Sequence, residues 1–250
     1  MAASGLALGL DVGGSSIKHA LVDIGSGVPR AALASAPTPR PALPEALVDA
    51  LAKLAEGVPL QVPVGITLPS VIQHGVLHTA ANLHPALVGF DAARALRARL
   101  GRDVTLLNDG DAAGLAEAHY GAARGFAGPV MVLTFGTGIG SALLVGGRLW
   151  PNSELGHMEV DGAEGESRAA ARNRTEEVLS WEQWATRVNR YLHEIDRLFW
   201  PELIVIGGGV VENWSQFSGL LQARAALRPA ALGPAAGVAG AALAAAQEAV

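Results

Sequence analysis

Two aspartates stand two positions apart in LLNDGDAAGLAE, Leu106 to Glu117, directly after an apolar run. A carboxylate at the end of a strand can act as a general base, whereas one at the start of a helix is satisfied by capping free backbone N–H groups. Asp109, beside Asn108 and before Gly110, has the place of a base aimed from an open turn, and Asp111, which begins AAGLAEAHY, has the place of a cap. Other polar residues recur in turn-like stretches: Asn82 in TAANLH, and Glu154, His157, Glu159 and Asp161 in NSELGHMEVDG. Amides and carboxylates each bind vicinal hydroxyls, so such a set suits a sugar, although turn and cap chemistry would explain each residue taken singly. His157 with Glu159 also suggests a metal, but without cysteine or an evident third ligand the pair ranks below hydroxyl binding.

Three glycine turns follow apolar runs: Gly13-Gly14-Ser15-Ser16, Gly136-Thr137-Gly138-Ile139-Gly140, and Gly207-Gly208-Gly209. With no Cβ in the way, backbone N–H groups in such turns can approach a phosphate. Ser15, Ser16 and Thr137 add hydroxyl donors, and Asp11 and Lys18 flank the first turn. A carboxylate there can hold hydrated magnesium and a lysine can meet a phosphate. GGSSIK lacks the spacing of a P-loop, and GTGIG is not the dinucleotide fingerprint. Hairpin geometry would account for one such turn; three at strand ends favour a phosphate ligand.

The elements that must position these residues are legible as patterns. LDVGGSSIKHALV, Leu10 to Val22, and LTFGTGIGSALLV, Leu133 to Val145, align without a gap at an offset of 123 residues, each an apolar strand, a glycine turn and a second strand. That repeat suggests two lobes built on one plan and sharing a cleft. Ala46–Leu54 and Ala92–Leu100 read as helices, and Val62–Leu68 and Asp103–Asn108 as strands. The alternation predicts an α/β fold with largely parallel sheets. Ser180 and Gln183 form a capping box ahead of Trp181, Trp184, Val188, Leu192, Ile195 and Phe199, which share one helical face and belong to core or interface. The strand LIVI precedes Gly207, and Ala36–Pro44 is a Pro-rich surface connection.

Bulk properties exclude several classes. Half of the 250 residues are apolar, 16% are charged and the net charge is −5, which fits a globular chain without bulk attraction to nucleic acid or an anionic membrane. With no cysteine, disulfides, thiolate nucleophiles and thiolate zinc sites are excluded, and a reducing cytoplasm is the compatible and expected location. MAASGLALGLD lacks the basic start of a signal peptide. Pro229–Ala246 is uncharged but too weakly apolar and too broken by proline to span a membrane, and reads as a loop before a small-residue helix packed on a sheet.

Taken together, DVGGSSIKHALVD, TAANLH, LNDGDAAGLAEAHYGAARG, VLTFGTGIGSALLVGGRLWPNSELGH and VIGGGV resemble the ROK family of sugar kinases, nearest its polyphosphate- or ATP-dependent glucokinase branch, from about Leu8 to Gly240. The resemblance implies a two-lobed actin-like ATPase (ribonuclease H-like) fold. It places a small lobe at 1–108, a large lobe at 109–235 and a final helix at about 236–250 packing back on the first. It implies magnesium, a polyphosphate or ATP donor, a glucose or related hexose acceptor, and a homodimer, with no nucleic acid, membrane or zinc. Asp109 matches the catalytic base, and Asn82, Asn108, Asp109, Glu154, His157 and, less closely, Glu159 match sugar contacts. Asp11 matches the magnesium-associated acid; Gly13, Gly14, Ser15, Ser16 and Lys18 lie on the first phosphate loop, Gly136, Thr137 and Gly138 on the second, and Gly207, Gly208 and Gly209 at the distal donor.

Two departures stand out. The cysteine-rich zinc motif of many ROK members is absent, as it is in the polyphosphate glucokinase branch, and Val211-Glu212-Asn213 stands where that branch usually has Ser-Lys-Lys. Arg124, Arg148, Arg168, Arg172 and Arg174 are candidates to replace the lost charge. No helix-turn-helix segment precedes DVGG, which argues against a repressor. The alternatives are an ATP-specific kinase for another hexose, mannose or N-acetylmannosamine, and a non-catalytic sugar sensor.

Overall fold

Both glycine hairpins open a sheet of the same topology. The computed structural model describes residues 5–249. Residues 1–4, where the signal-peptide reading begins, and residue 250, the last of the expected final helix, lie outside the described residues. The chain first forms β1 (Leu6–Val12), β2 (Ser16–Asp23), β3 (Ala34–Pro37), α1 (Pro44–Leu54), β4 (Val64–Leu68), the small hairpin β5 (Ile72–Gln73) and β6 (Val76–Leu77), α2 (Ala92–Leu100), β7 (Thr105–Asn108) and α3 (Asp109–His119). Then come β8 (Pro129–Phe135), β9 (Ile139–Val145), β10 (Arg148–Trp150), β11 (Glu159–Val160), β12 (Ala163–Glu164), α4 (Glu166–Ala169), α5 (Ala171–Glu176), α6 (Trp181–Phe199), β13 (Leu203–Gly207), α7 (Trp214–Phe217), β14 (Ala226–Pro229) and α8 (Ala236–Glu248).

Two compact units result. The first runs through Ala116 and resumes at Ala235; the second is Glu117–Pro234, so the start of α3, with Asp109, belongs to the first. The first sheet has the order β3-β2-β1-β4-β7 and the second β10-β9-β8-β13-β14. In each, the first three strands of that order pair antiparallel and the last three, β1-β4-β7 or β8-β13-β14, pair parallel. The sheets are thus mixed, not largely parallel. The first two glycine turns are too short for a crossover, so β2 and β9 must return antiparallel.

Strand β1 shows how side-chain size sets the layers. Leu8, Leu10 and Val12 point to one face and join Leu47, Leu51, Ile66 and Leu96 in a core with α1 and α2. The alternating residues Ala7, Gly9 and Asp11 face the other way, where Ala7, Ala20 and Val22 pack with Val238 and Ala242 of α8. Small residues on both partners bring helix and sheet unusually close. A Cβ on Gly9 would lie 2.0 Å from the Val238 carbonyl oxygen, one on Gly65 1.8 Å from that of Ala241, and one on Gly240 1.9 Å from that of Ala112.

In the second unit, α6 lies on the face of β8 that carries Met131, Leu133 and Phe135. The Ser180–Gln183 capping box is formed in both directions, and Trp184, Val188, Tyr191, Leu192 and Ile195 are buried. Full burial of such side chains contributes about 1.5–3 kcal/mol each, far more than helix propensity. Among the described residues no helix is long and apolar enough to cross a membrane.

Gly65→Ala should lower unfolding free energy by about 1–3 kcal/mol or more, because the nearest obstacle is backbone that cannot rotate away. Gly219→Ala, with nothing within 4 Å, should stay within about 0.5 kcal/mol of the parent in the same urea titration. Equal stability of the two variants would disprove the close approach.

Candidate active site

In the first unit the polar residues gather at the carboxyl ends of the parallel strands β1, β4 and β7, the usual ligand edge of an open α/β sheet. Asp11 sits on β1 opposite Lys18 of β2 and Thr67 of β4. Its Oδ1 accepts a hydrogen bond from the buried Thr67 hydroxyl at 2.8 Å, and its Oδ2 lies 3.9 Å from Lys18 Nζ. A Cβ on Gly237 would come within 2.7 Å of the Asp11 carboxyl carbon, so glycine in the first turn of α8 makes room for this acid. One partly exposed carboxylate with a fixed oxygen fits a hydrated magnesium ion, which keeps most of its waters and takes its other ligands from phosphate.

The first glycine turn is held from two sides. Gly13 N–H donates to the Ser16 carbonyl, and the Thr38 hydroxyl donates to the Gly13 carbonyl at 2.7 Å. Gly14 lies against Asn82: a Cβ there would stand 3.0 Å from the Asn82 carbonyl oxygen. Asn82 has φ +58, a left-handed conformation that asparagine tolerates. Its segment is anchored by Ala81 N–H to the Pro69 carbonyl and by Ser70 Oγ to the Thr79 carbonyl. Ser15 is exposed and Ser16 partly so.

The helix begins at Asp109, three residues earlier than a cap at Asp111 would place it. Asn108 Oδ1 accepts from Gly110 N–H at 2.7 Å and from Asp111 N–H at 3.2 Å, while its Nδ2 donates to the Ser70 carbonyl. Asn108 is therefore the cap, Gly110 lies inside the helix, and Asp111 is a buried first-turn residue, not the cap. The amide out-competes Asp111 because it closes a bond to each of two N–H groups from the strand end itself. Asp109 is exposed in the first turn, with its Oδ1 accepting from Gly110 N–H at 2.9 Å.

In the second unit, Gly136 and Thr137 are exposed, Gly138 is partly so, and Gly136 N–H donates to the Gly138 carbonyl. Glu166, which sequence reasoning missed, braces this turn: its Oε2 accepts from Ile139 N–H at 3.1 Å, and a Cβ on Gly138 would meet it at 2.4 Å. Gly208 has φ +86, and a Cβ there would lie 2.2 Å from the Phe135 carbonyl oxygen, a position only glycine fills. Gly207 is buried and Gly209 exposed beside it.

The segment carrying Glu154 and His157 is pinned by Ser141 and Tyr191. Ser141 Oγ donates to the Ser153 carbonyl and accepts from Leu155 N–H, and the Tyr191 hydroxyl donates to the Leu155 carbonyl at 3.1 Å. Burial, with Glu166 nearby, pushes the Tyr191 hydroxyl well above its usual range and keeps it a donor. His157 Nδ1 lies 3.4 Å from Glu164 and its Nε2 4.0 Å from Glu154. Glu159 is exposed on β11 opposite Glu164. The carboxylates grouped with His157 are Glu164 and Glu166, with ligand atoms within 4.8 Å of one another, and Glu159 is not among them. Such a set can accept hydroxyl protons or hold a cation.

Partial desolvation raises the Glu154 carboxyl above its ordinary value although its side chain is 39% exposed; His157 opposes the shift and repulsion from Glu166 adds to it. A raised carboxyl favours the protonated folded state, so ionisation at neutral pH costs stability that is present at low pH. Glu154→Gln should therefore melt above the parent at pH 7, and the difference should shrink as pH falls through the carboxylate range. A gain independent of pH would show that the charge is not its cause.

Comparison with known proteins shows the family and the fold. The family model described as "ROK family" matches residues 7–170. Polyphosphate glucokinase of Mycobacterium tuberculosis is 44% identical over 237 residues, 94% of this chain and 89% of that protein. The crystal structure of the inorganic polyphosphate/ATP-glucomannokinase of Arthrobacter sp. strain KM superposes with a TM-score of 0.90 at 41% identity, covering 98% of this chain and all of that one. At 23% identity, the ROK glucokinase of Streptomyces griseus, solved with glucose and AMPPNP, shares the fold with a TM-score of 0.81 over 97% of this chain and all of that one. The fold is the actin-like ATPase fold of these sugar kinases, and the chain belongs to the ROK family.

Proposed function

We infer that this chain is a glucokinase that transfers a phosphoryl group from polyphosphate or ATP to the 6-hydroxyl of glucose. The observation that carries the reading is an exposed carboxylate, Asp109, fixed at the carboxyl end of β7 in the same unit as the first glycine turn. It is supported by 44% identity to a polyphosphate glucokinase across nearly the whole chain. The likenesses favour neither a kinase for a different hexose nor a non-catalytic sensor.

Asp109 accepts the proton of the sugar hydroxyl as its oxygen bonds to the terminal phosphorus and the bridging P–O bond of the donor breaks. The products are glucose 6-phosphate and the donor shortened by one phosphate. Asn82 and Asn108 serve the sugar, although the Asn108 side chain is already committed to capping. Glu154, His157 and Glu159 are the further residues assigned to its hydroxyls. Lys18 and the N–H groups of the turns Gly13–Ser16, Gly136–Gly138 and Gly207–Gly209 are the groups assigned to donor phosphate. Asp11 would hold magnesium through water, and the ion when bound neutralises charge on the donor. Cytoplasmic location and homodimerisation belong to the same reading and rest on family likeness.

Asp109→Asn should lower kcat by about 10²- to 10⁴-fold, the usual contribution of a general base, with the glucose dissociation constant changing less than threefold. Near-parental turnover, or the loss appearing in Asp111→Asn instead, would reassign the base. A steady-state comparison of ATP and long-chain polyphosphate, each with glucose and mannose, tests donor and sugar together. Sugar binding without turnover from either donor would favour the sensor.

A further inference from the structure

The segment after the third glycine turn carries an exposed acid, Glu212, and no cation, an unfavourable neighbour for a polyanion. The second unit carries two arginines, Arg172 and Arg174, on helix α5, whose backbone is tied to the second glycine turn. β8 and β13 are adjacent, with Thr134 opposite Gly207, so the turns Gly136–Gly138 and Gly207–Gly209 leave one sheet end side by side. Helix α5 is bonded to the second turn and is connected through side chains to the segment that follows the third. Near its start Arg172 N–H donates to the Gly136 carbonyl at 3.0 Å. Further along, the Arg174 guanidinium lies 3.7 Å over the ring of Trp181. Trp181 Nε1–H donates to Gln216 Oε1 at 2.6 Å, and Gln216 Nε2 donates to Asn213 Oδ1 at 3.1 Å, just beyond the third turn.

Both arginines retain charge to offer. Arg172 is exposed, and its ion pair among the described residues, with Glu176 at 4.0 Å, is of the long surface kind that contributes little. Arg174 has no carboxylate within ion-pair distance among the described residues, and its buried Nε has no hydrogen-bond partner there. Stacking on an indole fixes the guanidinium plane without neutralising it, and a fixed guanidinium suits phosphate oxygens.

We propose that Arg172 and Arg174 form a cationic lane for the distal phosphates of inorganic polyphosphate, leading from the second glycine turn past Trp181. This deepens the kinase reading given above and rests on it. The charge of ATP ends at its third phosphate, whereas long-chain polyphosphate continues along the lane, so the two arginines favour the longer donor specifically.

The test is Arg172→Gln, Arg174→Gln and their double variant, assayed with long-chain polyphosphate, tripolyphosphate and ATP at saturating glucose, with melting curves to confirm folding. In the double variant KM for the long chain should rise on the order of tenfold or more, while KM for tripolyphosphate and ATP changes less than threefold. Arg174→Lys should recover part of the loss. Direct titration with long-chain polyphosphate should show the slope of log Kd against log salt falling by about one per removed arginine, as for other phosphate backbones. An unchanged long-chain KM, an equal rise for all three donors, or Arg174→Lys no better than Arg174→Gln would overturn the lane. If the parent chain turns over no donor, the kinase reading fails, and the titration alone decides the lane: lost salt slope supports it, and no binding overturns it.

Discussion

The chemistry of the first unit depends on the bonds made by one amide. Asn108 ends β7, caps α3 through two backbone N–H groups and reaches back to the Ser70 carbonyl beyond β4. Such a cap contributes about 0.5–2 kcal/mol, but its larger effect is positional. It fixes where the strand becomes a helix, and so where Asp109 stands. The Ser70 bond couples that point to the segment that presents Asn82, which in turn lies against the first glycine turn. Asp109, Asn82 and the first glycine turn are thereby linked through backbone and short side chains, with few rotatable bonds between them.

A second constraint lies where the chain crosses between its units. Glu117 is buried, yet its carboxylate accepts from Ala122 N–H at 2.7 Å and from the N–H groups of Ala231 and Leu232 at about 2.9 Å. Both crossings, at 116/117 and 234/235, are adjacent to these groups. A buried carboxylate is tolerable when its lone pairs are met by backbone donors, and bonds to a charged group contribute more than neutral ones. The outgoing and returning chain are therefore fastened to each other inside the second unit.

Small residues serve this geometry in a way that composition alone conceals. The Ala and Gly of α8 bury little area each, but they let the helix backbone approach β1 and β4 within the reach of a single missing methyl group. The same closeness sets Gly237 against Asp11, so the packing that stabilises the sheet also leaves a pocket for the acid. In the second unit large aromatics take the corresponding part, with Trp184 bonding the carbonyls of Ala169 and Ala170 and Tyr191 holding Leu155.

The sequence by itself determined what is local. The 123-residue repeat, the glycine turns, the capping box at Ser180 and the strand and helix alternation follow from spacing and residue type, and the family motifs named the candidate site residues. What only tertiary structure decided are the contacts between distant residues. Thr67 reaches Asp11 across 56 positions and Glu166 reaches Ile139 across 27, and neither partner is marked by its neighbours in sequence. Even the local question of Asn108 against Asp111 was settled by Ser70, 38 residues away. Periodicity reports which face of an element is buried, but hydrogen-bond partners depend on strand order and register, which arise only when the sheet assembles.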